Sequence, residues 1–211
     1  MTALALLALA STVGITAPGL TAGGAGTSGI GLNEILADPP PDLAGDANRD
    51  GVRNSSDDEF VELINRGPAP VDLAGWSLRD SVEVRHVFPD SVPLVLSPGE
   101  LATVFGGGTP TGFSGLVFTA SSGRLSLNNG GDLVELLAPG GSTQDSHAYG
   151  AEGGRDLSLV RLPDGTGEWH LAGDLGSQAP HSAHLLNGGA AAPQASTWGQ
   201  LKVGLAGGPG R

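Results

Sequence analysis

The 211-residue sequence contains no cysteine, and this absence removes several kinds of site at once. Disulfide bridges, thiolate zinc sites, iron–sulfur clusters and cysteine nucleophiles all require the thiol group. Aromatic residues are also scarce, at three Trp, one Tyr and five Phe. The hydrophobic core of any folded domain must therefore rest on Leu, Val and Ala.

Positive charge is the next shortage, because ten Lys and Arg residues face 22 Asp and Glu residues and give a net charge of −12. An acidic chain repels the phosphate backbone of nucleic acids and the anionic surface of membranes. We therefore predict no nucleic-acid partner. The same acidic balance suits divalent cations.

Long apolar runs are missing as well, so we predict no membrane span. The run at residues 3–10, ALALLALA, is too short to cross a bilayer but suits the central region of a signal peptide, although the basic segment that normally precedes it is absent. Small residues suitable for cleavage follow it. We predict that residues 1–28 are signal peptide and linker, and that the protein is secreted or held at the cell surface.

Glycine and proline are abundant, at 36 and 15 residues, and they separate short apolar runs at a spacing typical of strands and turns. No long stretch carries apolar residues at helical spacing. We predict a single all-β sandwich or barrel over residues 29–187, followed by a linker and tail over 188–211, with flexible termini. The predicted strands are 31–38, 59–66, 75–80, 85–89, 101–106, 115–120, 124–128, 132–138, 145–150 and 158–163.

The clearest chemical motif is the acidic stretch 46–57, DANRDGVRNSSD. Calcium takes six to eight oxygen ligands, and a twelve-residue loop supplies them from positions 1, 3, 5, 7, 9 and 12. Gly51 at position 6 permits the sharp turn that such a loop requires. The predicted ligands are Asp46, Asn48, Asp50, the carbonyl of Val52, Asn54 and Asp57.

The loop is similar to the calcium loop of dockerin modules, but it departs from that pattern in two ways. Arg53 stands at position 8, where an apolar residue is usual, and a strand-like FVELIN follows in place of a helix. We therefore predict an isolated calcium loop that fastens a long connection to the sandwich. A small shift of register would replace Asp57 with Glu59 as the bidentate ligand.

Several separated motifs resemble the lamin tail domain family, as found in bacterial secreted proteins. They are the opening Asn33-Glu34-Ile35, the segment 59–65 (EFVELIN), the segment 71–76 (VDLAGW) and the later stretches 96–105, 125–141 and 156–170. The resemblance covers about residues 30–187. It implies an immunoglobulin-like β-sandwich with Trp76 as a core or edge-sealing residue, and a scaffolding or interaction role.

Candidate catalytic groups are weak, and we predict no enzymatic activity. Glu62 and Glu135 could suggest paired carboxylates for glycoside chemistry, but their alternation with apolar residues predicts that both lie on solvent-facing surfaces. His181 and His184 are interpreted as a surface histidine pair. No serine, histidine and aspartate stand out as a triad.

These observations favour an exported, calcium-stabilised, non-catalytic module that binds a protein or a surface glycan. The alternative is an accessory domain that helps an exported hydrolase system to bind its substrate. The partner's identity and the oligomeric state are not encoded in any motif of the sequence.

Overall fold

The computed structural model describes residues 29–175 and 179–187, and this part of the chain forms twelve β-strands and three short 3₁₀ turns. The predicted leader, the linker and the C-terminal tail lie outside the described residues. The 3₁₀ turns are Asp42–Gly45, Ala151–Gly154 and Ala172–Leu175. The strands are β1 (Ile30–Leu36), β2 (Phe60–Asn65), β3 (Val71–Asp72), β4 (Ser77–Arg79), β5 (Val84–Val87), β6 (Val95–Leu96), β7 (Leu101–Phe105), β8 (Leu116–Thr119), β9 (Asp132–Leu137), β10 (Thr143–Tyr149), β11 (Leu159–Leu162) and β12 (Glu168–Leu171).

The strands form two main sheets that pack face to face. The larger sheet has the order β12-β11-β1-β2-β7-β8, the smaller has the order β10-β9-β4-β5, and β3 and β6 form a separate two-stranded pair. The main core between the sheets is largely aliphatic, as the shortage of aromatics requires, and its buried aromatic members are Trp76, Phe88 and Tyr149. The predicted all-β, immunoglobulin-like sandwich is confirmed.

Strands β1 and β2 are buried along their whole length, which is unusual for a sandwich. A sheet with one solvated face would bury only alternate residues. The explanation is a second apolar cluster on the outer face of the larger sheet, separate from the main core. It consists of Leu36, Ala47, Phe60, Phe105 and Ala183, with Phe113 and Val117 packed against them.

Three segments supply the cover over this outer face, and together we call them the outer layer. They are residues 42–58, which precede β2, residues 106–115, which join β7 to β8, and residues 179–187 after β12. Ala47, Phe113 and Ala183 are their respective contributions to the second apolar cluster. The larger sheet is therefore the middle of three layers.

The segment 106–115 has to cross the sheet because β7 and β8 run parallel. Parallel neighbours cannot be joined by a tight hairpin, so the chain must return along the face of the sheet before β8 begins. We call this segment the crossover. It contains five glycines, at 106, 107, 108, 112 and 115.

The predicted strand at 124–128 does not form, although its alternating pattern correctly indicated which side chains are buried. Leu125 and Leu127 are both buried, as a strand would place them. Ser126 between them has a φ of +55°, which an extended strand does not allow. The chain here is irregular, and the other nine predicted strands are present with small shifts at their ends.

One ring stack joins the sheets at their adjoining edges. The rings of His147 on β10 and Trp169 on β12 lie 4.0 Å apart between centroids, at an interplanar angle of 15°. The Arg161 guanidinium lies 5.1 Å from the centroid of the Trp169 ring. Strand β12 was not predicted, because EWHL alternates polar and apolar residues over only four positions, which is too short a period to stand out.

No helix in residues 29–175 and 179–187 has the length and apolar character needed to cross a membrane.

Candidate functional site

The stretch 46–57 forms a compact loop stabilised by its own side chains. Gly51 N donates to Asp46 Oδ2 at 3.0 Å, and Asp50 N donates to Asn48 Oδ1 at 2.9 Å. Val52 N and Ser56 N donate in the same way to Asp50 Oδ1 and Asn54 Oδ1, both at 2.9 Å. Asp and Asn side chains favour such local bonds to nearby backbone N–H groups.

Gly51 lies at the tightest point of the loop, with a φ of +89°. An L-residue with a β-carbon is disfavoured in this conformation. The glycine at position 6 of the motif therefore has the conformational role that the sequence predicted for it.

Asp46 carries the feature that bears most directly on metal binding. Its Oδ1 atom is buried and has no hydrogen-bond partner among the described residues. A buried carboxylate oxygen without a donor is costly, and natural structures rarely leave one. An ion at this oxygen would remove the cost, and the oxygen chemistry of the predicted ligand set fits calcium.

The ligand set depends on more than carboxylates. In the described residues, no group of three or more His, Asp or Glu side chains is arranged to hold a metal ion by itself. The predicted calcium set draws on two Asn side chains and the Val52 carbonyl besides Asp46, Asp50 and Asp57.

Asp58 is a loop residue that the sequence analysis missed. It is fully buried, and its carboxylate accepts hydrogen bonds from Asn48 N at 3.1 Å and Asn54 N at 2.7 Å. Burial raises the pKa of Asp58, and the negative charges of Asp46 and Asp50 raise this pKa further. Asp57 ends the motif and Asp58 follows it, and nothing in the sequence indicates which of these two aspartates points inward.

The side chain of Glu59 points away from the loop 46–57. The alternative in which Glu59 replaces Asp57 as the bidentate calcium ligand therefore has no support. The Glu59 carboxylate accepts a hydrogen bond from Leu127 N at 3.2 Å, in the irregular stretch after β8. Burial raises the pKa of Glu59 to about 8.

The loop is also fastened to the crossover. Thr109 N donates to Asp50 Oδ2 at 3.1 Å, and Thr111 N donates to Asn48 O at 3.0 Å. Asn48 Nδ2 donates to Gly107 O at 3.3 Å. Two of the predicted ligands therefore position the chain that leads to β8.

The crossover glycines allow this close approach. A β-carbon on Gly106 would lie 1.8 Å from Ser56 O, and one on Gly108 would lie 2.5 Å from Asp50 Oδ2. Both distances are shorter than any van der Waals contact, so side chains at these positions would push the loop and the crossover apart.

The two arginines of the loop bind neighbouring segments. Arg53 donates from Nε to Pro40 O at 3.0 Å and from Nη2 to Pro39 O. The Arg49 guanidinium lies 4.3 Å from the centroid of the Phe113 ring. The unusual Arg53 at position 8 thus ties the loop to the chain that enters it.

Beside the loop, residues 179–187 bind two buried glutamates. Ser182 donates to Glu34 from its N at 2.8 Å and from its Oγ at 2.6 Å. His184 N donates to Glu62 Oε2 at 2.7 Å. We call residues 179–187 the strap, because these bonds hold the segment across β1 and β2.

The prediction that Glu62 faces solvent is wrong. Glu62 is fully buried, and it lies opposite Glu34 in the β1–β2 register. Burial raises the pKa of Glu62, and the charge of Glu34 adds to the rise. The alternation was read correctly, but the outward face is covered by the outer layer. Glu135, the other residue of that prediction, is partly exposed and pairs with Arg79 at 3.3 Å.

The prediction of a surface pair at His181 and His184 is corrected in one respect: both residues are half-buried near the surface, but their rings contact different neighbours. The His184 ring bonds to Thr103 Oγ1 and Ser114 O, and the His181 ring lies edge-on to Phe60 and bonds to Ala44 O. Burial lowers the pKa of both histidines. The rings fasten the strap to different neighbours and do not form a paired site.

A family model described as Lamin Tail Domain matches residues 25–151, which is more than half of the chain. No curated protein matches the sequence. Strands β11 and β12 and the strap lie after the matched range, yet β11 pairs with β1 in the middle of the larger sheet.

Proposed function

The chain belongs to the lamin tail domain family, and on that premise we propose that it is an exported, calcium-stabilised module whose role is binding or scaffolding and not catalysis. The family supports a binding or scaffolding role of an immunoglobulin-like domain. The observation that supports the calcium part is the buried, unpartnered Oδ1 of Asp46 inside a loop of oxygen-bearing side chains.

Charge supports the same proposal. Asp46, Asp50, Asp57 and Asp58 fall within thirteen residues, and the two arginines of the stretch bind elsewhere, to proline carbonyls and to an aromatic ring. Without a cation, the mutual repulsion of these carboxylates opposes a compact loop. The ligands would be Asp46, Asn48, Asp50, the Val52 carbonyl, Asn54 and Asp57, and the ion would supply positive charge and coordination.

The role of the ion would be structural. The loop holds the crossover through Asp50 and Asn48, and it contributes Ala47 to the second apolar cluster. Calcium at the loop would therefore stabilise the cover over the outer face of the larger sheet.

Calcium titration with thermal unfolding of the whole protein tests this proposal. Extracellular calcium modules bind with Kd of about 10⁻⁴–10⁻³ M, and calcium at ten times Kd adds about 1.4 kcal/mol. For a domain of this size, we expect Tm to rise by about 3–5 °C. Magnesium at equal concentration should have a smaller effect, because it prefers a tighter octahedral site.

Matched variants separate specific binding from general charge relief. Asp50→Asn should abolish most of the calcium-dependent rise, whereas Asp42→Asn, which removes the same charge from an exposed position just outside the loop, should retain it. A Tm that is unchanged by calcium in the unmodified protein would contradict the proposal.

Export is supported by the apolar run at residues 3–10 and the small residues after it. Intact-mass spectrometry of protein recovered from the culture medium and the cell surface tests this part. We expect a chain shortened by cleavage before residue 29, and recovery from the cytoplasm alone would contradict export.

A further inference from the structure

The two main sheets end in four edge strands, namely β12 and β8 in the larger sheet and β10 and β5 in the smaller one. An edge strand presents backbone N–H and C=O groups that can pair with another chain, and natural proteins protect such edges with charges, prolines or covering segments. The four edges differ in whether they carry such protection.

Three of the edges are protected. Beside β5, Ser122 N donates to Arg85 O, and Val87 N donates to Ser121 Oγ, so a neighbouring turn occupies its outer groups. Strand β10 presents Asp145, whose carboxylate accepts a hydrogen bond from Leu32 N of β1 at 3.0 Å. Strand β12 begins with the exposed acid Glu168.

Strand β8 carries neither a charge nor a proline, although the His86 ring of β5 reaches the backbone of Thr119 at its end. Its backbone pairs with β7 on one side, and the strand order of the described residues ends there. The sequence LVFT of β8 contains no charge and no proline, and no charged residue occurs from 104 to 123. In a protein with a net charge of −12, this is a conspicuously neutral strip on an open edge.

A cavity of about 370 Å³ opens beside the same edge. Its apolar walls come from Pro110 and Phe113 of the crossover and from Val117 and Phe118 of β8. Side chains of a strand added to β8 would have an apolar recess beside them, so this edge offers both backbone pairing and side-chain burial.

We propose that β8 is a docking edge for a second copy of this chain, which pairs with it antiparallel and joins two of the larger sheets across a two-fold axis. This proposal rests on the proposed scaffolding role, and it identifies a second copy of the chain as a partner of the module. A strand is the occupant that satisfies the backbone N–H and C=O groups that an edge leaves open.

Charge favours a second copy as that occupant. Two acidic molecules repel over most of their surfaces, but edge-to-edge contact at β8 opposes only neutral residues. A two-fold contact uses the same patch on both copies, so the patch must be compatible with itself. In the expected register, Phe118 lies opposite Phe118 of the second copy, and Val117 lies opposite Thr119 of the second copy. This register keeps the inward-facing side chains of both copies on the same face of the joined sheet, whereas a shift by one residue would place them on opposite faces.

The contact is small, so we expect weak, reversible self-association. A four-residue strand with its flanks buries less than the roughly 1,200 Å² of a stable standard interface. Dissociation constants of tens of micromolar suit such a contact, and the measurement must cover that range.

Sedimentation velocity of the whole protein from about 5 to 300 µM in calcium-containing buffer tests the proposal. We expect a monomer–dimer equilibrium that Thr119→Lys weakens at least about tenfold, because a charge on an edge strand opposes pairing. Val87→Lys is the matched control, since Val87 is exposed on the edge strand β5, and it should leave the equilibrium unchanged.

Thermal unfolding of Thr119→Lys shows whether the exposed substitution leaves the fold intact, and Thr119→Asp repeats the test with the opposite charge. A monomer at every concentration, or a dimer that survives both changes at Thr119, would overturn the proposal. The calcium titration above is read on Tm and not on association state, so failure of one proposal is distinguishable from failure of the other.

Discussion

At the scale of single residues, Glu59 shows how burial converts an acidic side chain into a pH-sensitive element. Its carboxyl group is almost fully buried, and its pKa is raised to about 8. In the unfolded chain the same group titrates near 4.5. Between these values the folded protein holds a proton that the unfolded chain has released, so the stability contributed below pH 4.5 is lost as pH rises towards 8.

Glu59→Gln should remove this pH dependence. The amide cannot ionise, and its oxygen can still accept the hydrogen bond from Leu127 N. As pH rises from 5 to 8, we expect the free energy of unfolding of the variant to increase by about 3 kcal/mol relative to that of the unmodified protein. Urea unfolding at each pH measures the difference.

Glu168→Gln is the control for this experiment, because Glu168 is exposed on β12. Its difference from the unmodified protein should stay within about 0.5 kcal/mol across the pH range, as is usual for surface substitutions. Parallel pH curves for the unmodified protein and Glu59→Gln would refute the role assigned to Glu59.

Residue-scale prediction from the sequence was most informative where conformation is local, and it failed where the environment depends on distant segments. The sharp turn at Gly51 was expected from the spacing of the loop 46–57 and is present, whereas the calcium ligands stay a prediction. Glu62 was misplaced because its environment is made by His184, 122 residues later in the chain. Asp58 was missed because the direction of an aspartate within a loop is set by backbone N–H groups that no pattern reveals.

At the scale of elements, the strap is held mainly by polar bonds and only weakly by apolar contact. Ala183 is its one residue in the second apolar cluster, while Leu185 and Leu186 are 44% and 50% exposed. Asn187, at the C-terminal end of the strap, forms hydrogen bonds to several residues of the larger sheet and its turns. Its Nδ2 donates to Asn33 O and to Arg161 O, both at 3.0 Å, so it links β1 with β11.

Asn187→Ala should detach the strap without unfolding the sandwich. Loss of the amide leaves buried carbonyls without donors, and each such loss costs about 1–3 kcal/mol. We expect faster hydrogen exchange at residues 181–186 and unchanged exchange in β9. Asn129→Ala, which removes an exposed amide bonded to Asp38, is the matched control and should alter neither region. Unchanged exchange in the strap of Asn187→Ala would show that other contacts hold it.

Element-scale prediction followed the hydrophobic pattern and stopped where that pattern is too short. The longer strands were located, whereas β12 spans only four residues and β3 and β6 span two residues each, too few to show a readable period. The parallel pairing of β7 with β8 was also not predictable, because the pattern of one strand does not specify the direction of its neighbour. The crossover, one of the three segments of the outer layer, follows from that pairing, since parallel neighbours cannot be joined by a tight turn.

At the scale of the whole molecule, the larger sheet divides the protein into two parts with different stabilising interactions. The main core is largely aliphatic and lies between the two sheets. The outer layer relies on the second apolar cluster and on hydrogen bonds from the loop 46–57 and the strap. The strap also touches the loop region, because the His181 ring bonds to Ala44 O.

Calcium removal should therefore loosen one part of the molecule and spare the other. We expect chelation to speed hydrogen exchange in residues 46–58 and in the crossover. Without the ion, the carboxylates of the loop repel one another, so Asp50 and Asn48 would hold the crossover less firmly. The strap should follow to a smaller degree through His181. Strands β4 and β9, on the far side of the main core, should keep their protection, since local opening need not involve the global unfolding transition.

Asp50→Asn in calcium should reproduce the exchange pattern of the chelated protein, and Asp42→Asn should resemble the calcium-loaded one. A uniform rise in exchange across β4, β9 and the crossover would mean that calcium stabilises the fold as one cooperative unit. That outcome would contradict the division into a main core and a separately stabilised outer layer, whereas exchange confined to the loop, the crossover and the strap would support it.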